Sequence, residues 1–252
     1  MRRAIAALAR LAALLLVCAL ALQLYFLARI ALMAVVDPQS TTFQRSEIWR
    51  LLGAPGRWHW SQQWVPAEQI SPRLARAVIA SEDAGFVEHS GVEWDALERA
   101  WERNQRAEAR AERVNSRAER RGRPVHAEPK LVGGSTITQQ LAKNLFLAGE
   151  RHLARKGQEL VIAMMLEALL PKQRILEIYL NNVEWGEGVF GAEAASRHYF
   201  HIGAGRLGTA QAARLAVMLP APKRFEKRPD SPYIAGRAAV IAARMGEVET
   251  PQ

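Results

Sequence analysis

Gly133-Gly134-Ser135-Thr136-Ile137-Thr138-Gln139-Gln140-Leu141-Ala142-Lys143-Asn144 is the stretch on which the fold turns. Two glycines and a hydroxyl open it, and helical spacing follows. Thr136 with Gln139 three residues on is a capping box, so the pattern predicts a helix from Thr136 to Leu147. Gln140, Lys143 and Asn144 recur at i, i+3 and i+4 and share one face. Glycine permits positive φ, so consecutive N–H groups can converge on an anion before the positive end of the helix. The glycine spacing and the late lysine exclude a P-loop. A plain capped helix start is the competing reading.

Upstream lies Ala80-Ser81-Glu82-Asp83-Ala84-Gly85-Phe86-Val87-Glu88-His89-Ser90-Gly91. Ser71 before Pro72 predicts an N-cap with proline at N1. Leu74, Val78 and Ile79 then mark an apolar face, and Gly85 a break. Glu82 and Asp83 fall at the exposed end of that helix. A carboxylate backed by Val78, Ile79 and Phe86 is partly desolvated, which raises its pKa toward that of a usable base. The alternative is an ordinary helix-end salt bridge, with a structural His89. No spacing here suits zinc.

Downstream, Arg155, Lys156 and Glu159 share one face of an apolar helix predicted over Ala154–Leu170. Two cations there suit a pyrophosphate, with Glu159 orienting them or holding a divalent ion. A surface Arg155–Glu159 pair would contribute only ~0.3–0.5 kcal/mol. Gly157 costs roughly 1 kcal/mol against alanine, so something is expected to approach closely.

The joint order of these segments carries a resemblance. Glu82-Asp83-x-x-Phe86-x-x-His89-x-Gly91 resembles the first motif of the peptidoglycan glycosyltransferases, which polymerise lipid II. Gly133 to Asn144 resembles the second and Arg155-Lys156-x-x-Glu159 the third. Ile175-Leu176-Glu177-x-Tyr179-Leu180-Asn181 resembles the fourth, with Trp185 nearby where the family often has Phe. Arg214-Leu215-Ala216-x-x-Leu219-Pro220-x-Pro222 resembles the fifth. The motifs stand in family order across about 70–225.

The resemblance implies a mainly α, lysozyme-like domain with a smaller membrane-proximal lobe. It implies Glu82 as general base and Glu159 as a second catalytic carboxylate, with Mg²⁺ or Mn²⁺ as a candidate ion beside the donor pyrophosphate. Lys143, Arg155 and Lys156 would neutralise the leaving group. Thr136, Gln140 and Asn144 would line the cleft, and Asp83, Phe86 and His89 would shape it. The chain ends soon after the fifth motif, and neither Ser-x-x-Lys nor Lys-Thr-Gly stands in a suitable place. It is therefore similar to monofunctional members without a transpeptidase.

The flanks fit that reading. The chain has 252 residues, a net charge of +9 and 49% apolar residues, which excludes a mainly disordered protein. Residues 11–36 form an apolar run interrupted by Arg29, long enough to cross a bilayer. Arg2, Arg3 and Arg10 precede it, so residues 1–10 are expected in the cytoplasm and everything after Asp37 outside, on the periplasmic face of the inner membrane. A cleaved signal peptide is the alternative, but the run exceeds a typical h-region of roughly 7–15 residues. Cys18 is the single cysteine, so a thiol nucleophile outside the membrane is excluded.

Residues 37–70 read as a linker leading into a domain over 71–246. Trp49, Trp58, Trp60 and Trp64 there suit either an interfacial belt or a core. The stretch 102–130 carries eight Arg and one Lys against five Glu. It shows almost no apolar periodicity and reads as a solvated helix or a mobile basic insertion. Further helices are expected at 172–182, 191–200, 209–219 and 233–246, with Asn181-Asn182 and Gly186–Gly191 in a loop. No run demands a large sheet.

Expected partners are lipid II, the growing lipid-linked strand, the membrane, and penicillin-binding or division proteins. Nucleic acid is not among them, since charge alone favours it. A membrane-anchored lytic enzyme and a non-catalytic cell-wall scaffold are the alternatives.

Overall fold

The computed structural model describes all residues except 1, 54, 56, 57, 121, 123–126, 130–133, 148–152 and 252. Gly133 and parts of the basic stretch therefore lie outside the described residues. The elements run α1 (Arg2–Leu32), α2 (Thr42–Leu52), β1 (Ser61–Gln62), α3 (Pro72–Glu82), α4 (Trp94–Arg120), α5 (Ile137–Phe146) and α6 (Leu153–Leu169). They continue as α7 (Lys172–Asn182), β2 (Glu184–Gly186), β3 (Val189–Phe190), α8 (Ala192–Phe200), α9 (Thr209–Met218), α10 (Pro222–Phe225) and α11 (Pro232–Arg244).

The chain is mainly helical. In the larger lobe α9 packs against both α3 and α11. In the smaller one α5 packs against α6 and α2, and α1 rests on α6. α7 touches α5 and α6 on one side and α8 on another. Tyr179, Ile175 and Ile178 of α7 are fully buried, as a helix covered on several sides requires. One small sheet completes the body, in the order β1-β3-β2, with Ser61 parallel to Val189 and Glu184 antiparallel to Phe190.

Several local expectations change. Asn181 and Asn182 close α7 and do not lie in the loop. The Asn181 side-chain amide donates to the Val65 carbonyl at 2.9 Å and accepts from the Val65 N–H at 2.9 Å. A side chain has thus replaced a ladder partner for the segment after β1. Residues 184–190, read as loop, hold β2 and β3. Within 37–70, α2 docks by Thr42 donating to the Leu145 carbonyl at 2.9 Å. Trp49 and Trp58 are exposed, whereas Trp64 packs on the core.

The basic stretch continues α4 as far as Arg120 and does bury a face. Ala100, Ala111 and Ala118 are buried, eleven and seven residues apart, which is three turns and then two. Alanine carries little hydrophobic signal, so the pattern hid in plain composition. Asn115 holds the returning chain through two bonds to the backbone of Ala127, at 3.1 and 2.6 Å.

Candidate active site

α3 ends at Glu82 because Asp83 leaves helical geometry, with φ −163°. The Glu82 Oε2 accepts from the Gln140 side-chain amide at 2.9 Å, and the Gln140 carbonyl oxygen accepts from the Tyr179 hydroxyl at 3.0 Å. The Ser81 hydroxyl lies 3.4 Å from Glu82 Oε1. Burial pushes the Glu82 carboxyl above its ordinary pKa, and the bonds from Gln140 and Ser81 oppose that. Asp83 raises it further, while Lys143 lowers it. The Tyr179 hydroxyl, fully buried near both carboxylates, is held well above ten and stays protonated.

Asp83 faces the other way. Its Oδ2 accepts from the Ile137 N–H at 3.0 Å, at the first turn of α5, and its Oδ1 pairs with His89 Nε2 at 2.8 Å. The Gly91 N–H donates to His89 Nδ1 at 3.1 Å, so the ring hydrogen sits on Nε2 and points at Asp83. Thr136 donates to the Gly91 carbonyl at 2.6 Å while capping α5, and the capping box with Gln139 is complete. Gly91 holds φ +84°, and a Cβ there would fall 2.9 Å from Glu167, so glycine is required. Asp83, His89 and Thr136 thus lock the first motif onto the second.

A cleft of about 100 Å³ opens beside these groups, lined by Glu82, Asp83, Glu93, Ala96, Arg103, Gly134, Ser135 and Thr136. Gly134 does not adopt positive φ. Its constraint is close approach, because a Cβ would meet Ala100 Cβ at 3.0 Å and the Ala96 carbonyl at 3.3 Å. A larger concavity of about 540 Å³ lies along α4, lined by Arg106, Arg110, Val114 and Glu128 among others.

The cations come from α5 and α6. Lys156 Nζ donates to the Ser135 hydroxyl at 3.0 Å, which brings α6 to the cleft rim. Arg155 donates to Glu159 Oε2 at 2.9 Å and Lys156 to its Oε1. Glu159 is buried, so the two cations offset what would otherwise be a costly carboxylate. A Cβ at Gly157 would have nothing of the described chain within 4 Å, so no protein neighbour accounts for the glycine. Lys143 is exposed and Asn144 buried on the same helix.

Four contributors escaped sequence reading. Tyr179 stood in the fourth motif without a role. Arg103 and Ser135 line the cleft from segments read as solvated or as a turn. Lys172 bridges the His89 carbonyl at 2.6 Å and Glu167 at 2.8 Å, with its ammonium 4.4 Å from the centre of the buried Phe86 ring. Only the fold brings these together.

The sequence profile of the transglycosylase family matches residues 52–115 and 120–246. The chain belongs to that family. Among its relatives is a biosynthetic peptidoglycan transglycosylase of Burkholderia thailandensis, 54% identical over 232 residues, covering 92% of this chain and 83% of the relative. The protein of the same description from Cupriavidus pinatubonensis is 54% identical over 240 residues, 92% of this chain and 86% of the relative. That of Cupriavidus metallidurans is 52% identical over 255 residues, 97% and 98% respectively. The transglycosylase match runs through most of 102–130 and skips only 116–119.

Proposed function

We propose that this protein joins lipid II units into β-1,4-linked glycan strands of peptidoglycan, releasing undecaprenyl diphosphate. The observation that carries the reading is one half-buried carboxylate with a raised pKa, Glu82, at a cleft whose rim holds Lys156. Glu82 takes the proton from the acceptor's 4-hydroxyl. That oxygen attacks the anomeric carbon of the lipid-linked strand, the bond to the diphosphate breaks, and α configuration inverts to β. Negative charge moves onto the diphosphate, where Lys143, Arg155 and Lys156 neutralise it. Glu159 keeps the last two in place.

The described residues alone do not present a metal set. Both Glu159 oxygens already accept from cations, and no group of three His, Cys, Asp or Glu converges among the described residues. Mg²⁺ or Mn²⁺ is expected only with ligands supplied by the substrate's diphosphate, and no step above needs it.

One helix, Ile5–Leu32, is long and apolar enough to cross a membrane. We read it as a retained anchor with a cytoplasmic N-terminus and the catalytic domain, 71–246, on the outer face of the inner membrane. Penicillin-binding and division proteins are the partners this activity would meet there.

The test is polymerisation of lipid II by the full-length protein with penicillin present. Wild type should make polymer, and Glu82→Gln should lose about 10²–10⁴-fold without unfolding. Inactive but folded wild type would favour a scaffold, and soluble fragments from sacculi a lytic enzyme.

A further inference from the structure

The outer end of α1 is built into the domain. Phe26, Ile30 and Met33 belong to the core, and Phe26 meets Phe146 edge-on with ring centroids 5.2 Å apart. Just before them, Gln23 faces Gln158 of α6. Each amide donates to the other's carbonyl oxygen, both at 3.0 Å. Further along, Arg174 of α7 donates to the Met33 carbonyl at 2.8 Å and to Asp37 at 2.7 Å. Gln158 thus lies beside Gln23, and the later Arg174 beside Met33 and Asp37. The chain from Gln158 of α6 to Arg174 of α7 therefore advances in the same direction as α1, and the N-terminal end of α6 lies on the bilayer side.

Length fixes the level. Ile5–Leu32 is 28 residues. At ~1.5 Å per residue it spans about 42 Å, roughly 12 Å more than a ~30 Å hydrocarbon core. Phe26, Ile30 and Met33 are taken up by the domain core, so the outer boundary falls before them, near Gln23 and Leu24; about 20 residues back from there reach Ile5, and Arg10, expected in the cytoplasm from sequence, instead snorkels to the inner interface. A lone amide at that depth has little water to bond, and reciprocal pairing satisfies it. Arg155 and Lys156 lie within one turn of Gln158, in the zone of lipid phosphates.

We infer that the Gln23–Gln158 amide pair is a positioning device: it fixes the register of α1 against α6 and so sets the height of the Arg155–Lys156–Glu159 cluster at the diphosphate of a membrane-embedded substrate. The inference rests on the anchor reading above. Arg155 and Lys156 meet the substrate; Gln23 and Gln158 act through them.

The experiment compares lipid II polymerisation by the full-length protein in proteoliposomes and in detergent micelles. In liposomes, Gln23→Leu and Gln158→Leu should each raise KM about tenfold with kcat within about twofold, as loss of two modest hydrogen bonds allows. The double variant should be no worse than either single one, because both remove the same interaction. One alanine inserted after Leu24 turns Gln23 by about 100° from Gln158 and should act like Gln23→Leu. One inserted after Leu16 leaves the pair intact and should change KM by less than about twofold.

In micelles, where no bilayer sets a height, all variants should match wild type. Unchanged KM in liposomes, or equal losses in liposomes and micelles, overturns the inference and leaves the anchor intact. An intact mass beginning beyond residue 21 overturns the anchor reading itself.

Discussion

Glu82, the proposed base, is half withdrawn from water, and burial and the Gln140 amide pull its proton affinity in opposite directions. Replacing Gln140 with leucine removes the donor that stabilises the carboxylate. The Glu82 pKa then rises further above its ordinary value. Since the base works deprotonated, the acid limb of a kcat/KM–pH profile should move to higher pH, and an unmoved limb would detach Gln140 from the base. A second residue gives a stability test. Burial pushes the Glu184 carboxyl up to about 7, although Lys223, 3.4 Å from its Oε1, pulls it down.

A carboxylate with a raised folded pKa destabilises the fold where it must ionise. Glu184→Gln should therefore stabilise the protein above about pH 8, by an amount on the order of 2–3 kcal/mol. The gain should fade as pH drops through 7 and vanish below 4.5, the ordinary value, where wild type becomes protonated in both states. Thermal melts at the two ends would read it. Glu47 shows why the site matters: burial pushes it up too, but bonds from Lys223 and Arg50 outweigh that and hold it low. Glu82 and Gln140 were legible in sequence because one ends an apolar helix and the other sits on a helix face. Glu184 was not, because its desolvation comes from chain folded over it.

At the scale of elements, the capping box at Thr136 and the face of Gln140, Lys143 and Asn144 were written locally, as was the cluster of α6. Contacts between elements were not. Lys172 starts α7, yet it ties α6 through Glu167 to the first motif through the His89 carbonyl. Thr138 of α5 donates to the same Glu167 oxygen at 2.6 Å. Lys172→Met leaves a half-buried carboxylate with a hydroxyl as its remaining partner, which should cost about 1–3 kcal/mol. Adding Glu167→Gln removes the stranded charge. The double variant should then melt above Lys172→Met alone, and a purely additive pair would show that the bridge carries no coupling. α4 illustrates the same limit. Its buried alanines spell a face only once Gly134 is seen against Ala100. A single sequence records the spacing of small residues but not what will approach them.

The whole molecule depends on α1 for more than attachment. Phe26 and Ile30 of α1 and Met33 of the turn that follows it are at most 6% exposed, buried against the smaller lobe. At about 1.5–3 kcal/mol for each such side chain, their loss removes roughly 5–9 kcal/mol of burial. That is comparable to the 5–15 kcal/mol that holds a typical domain together. A chain beginning at Pro38 also uncovers Phe146, which Phe26 covers edge-on. It should therefore melt well below the full-length protein, regain stability in detergent, and sediment with liposomes. Phe146→Glu in the truncated chain should abolish the sedimentation, because a charge replaces the uncovered ring. In the full-length chain the same change should act through α1 docking instead, lowering the melting temperature while the anchor keeps the protein in the membrane. Equal melting of truncated and full-length proteins would reduce α1 to a tether, and the level of the cation cluster would then have to be set by the domain's own surface.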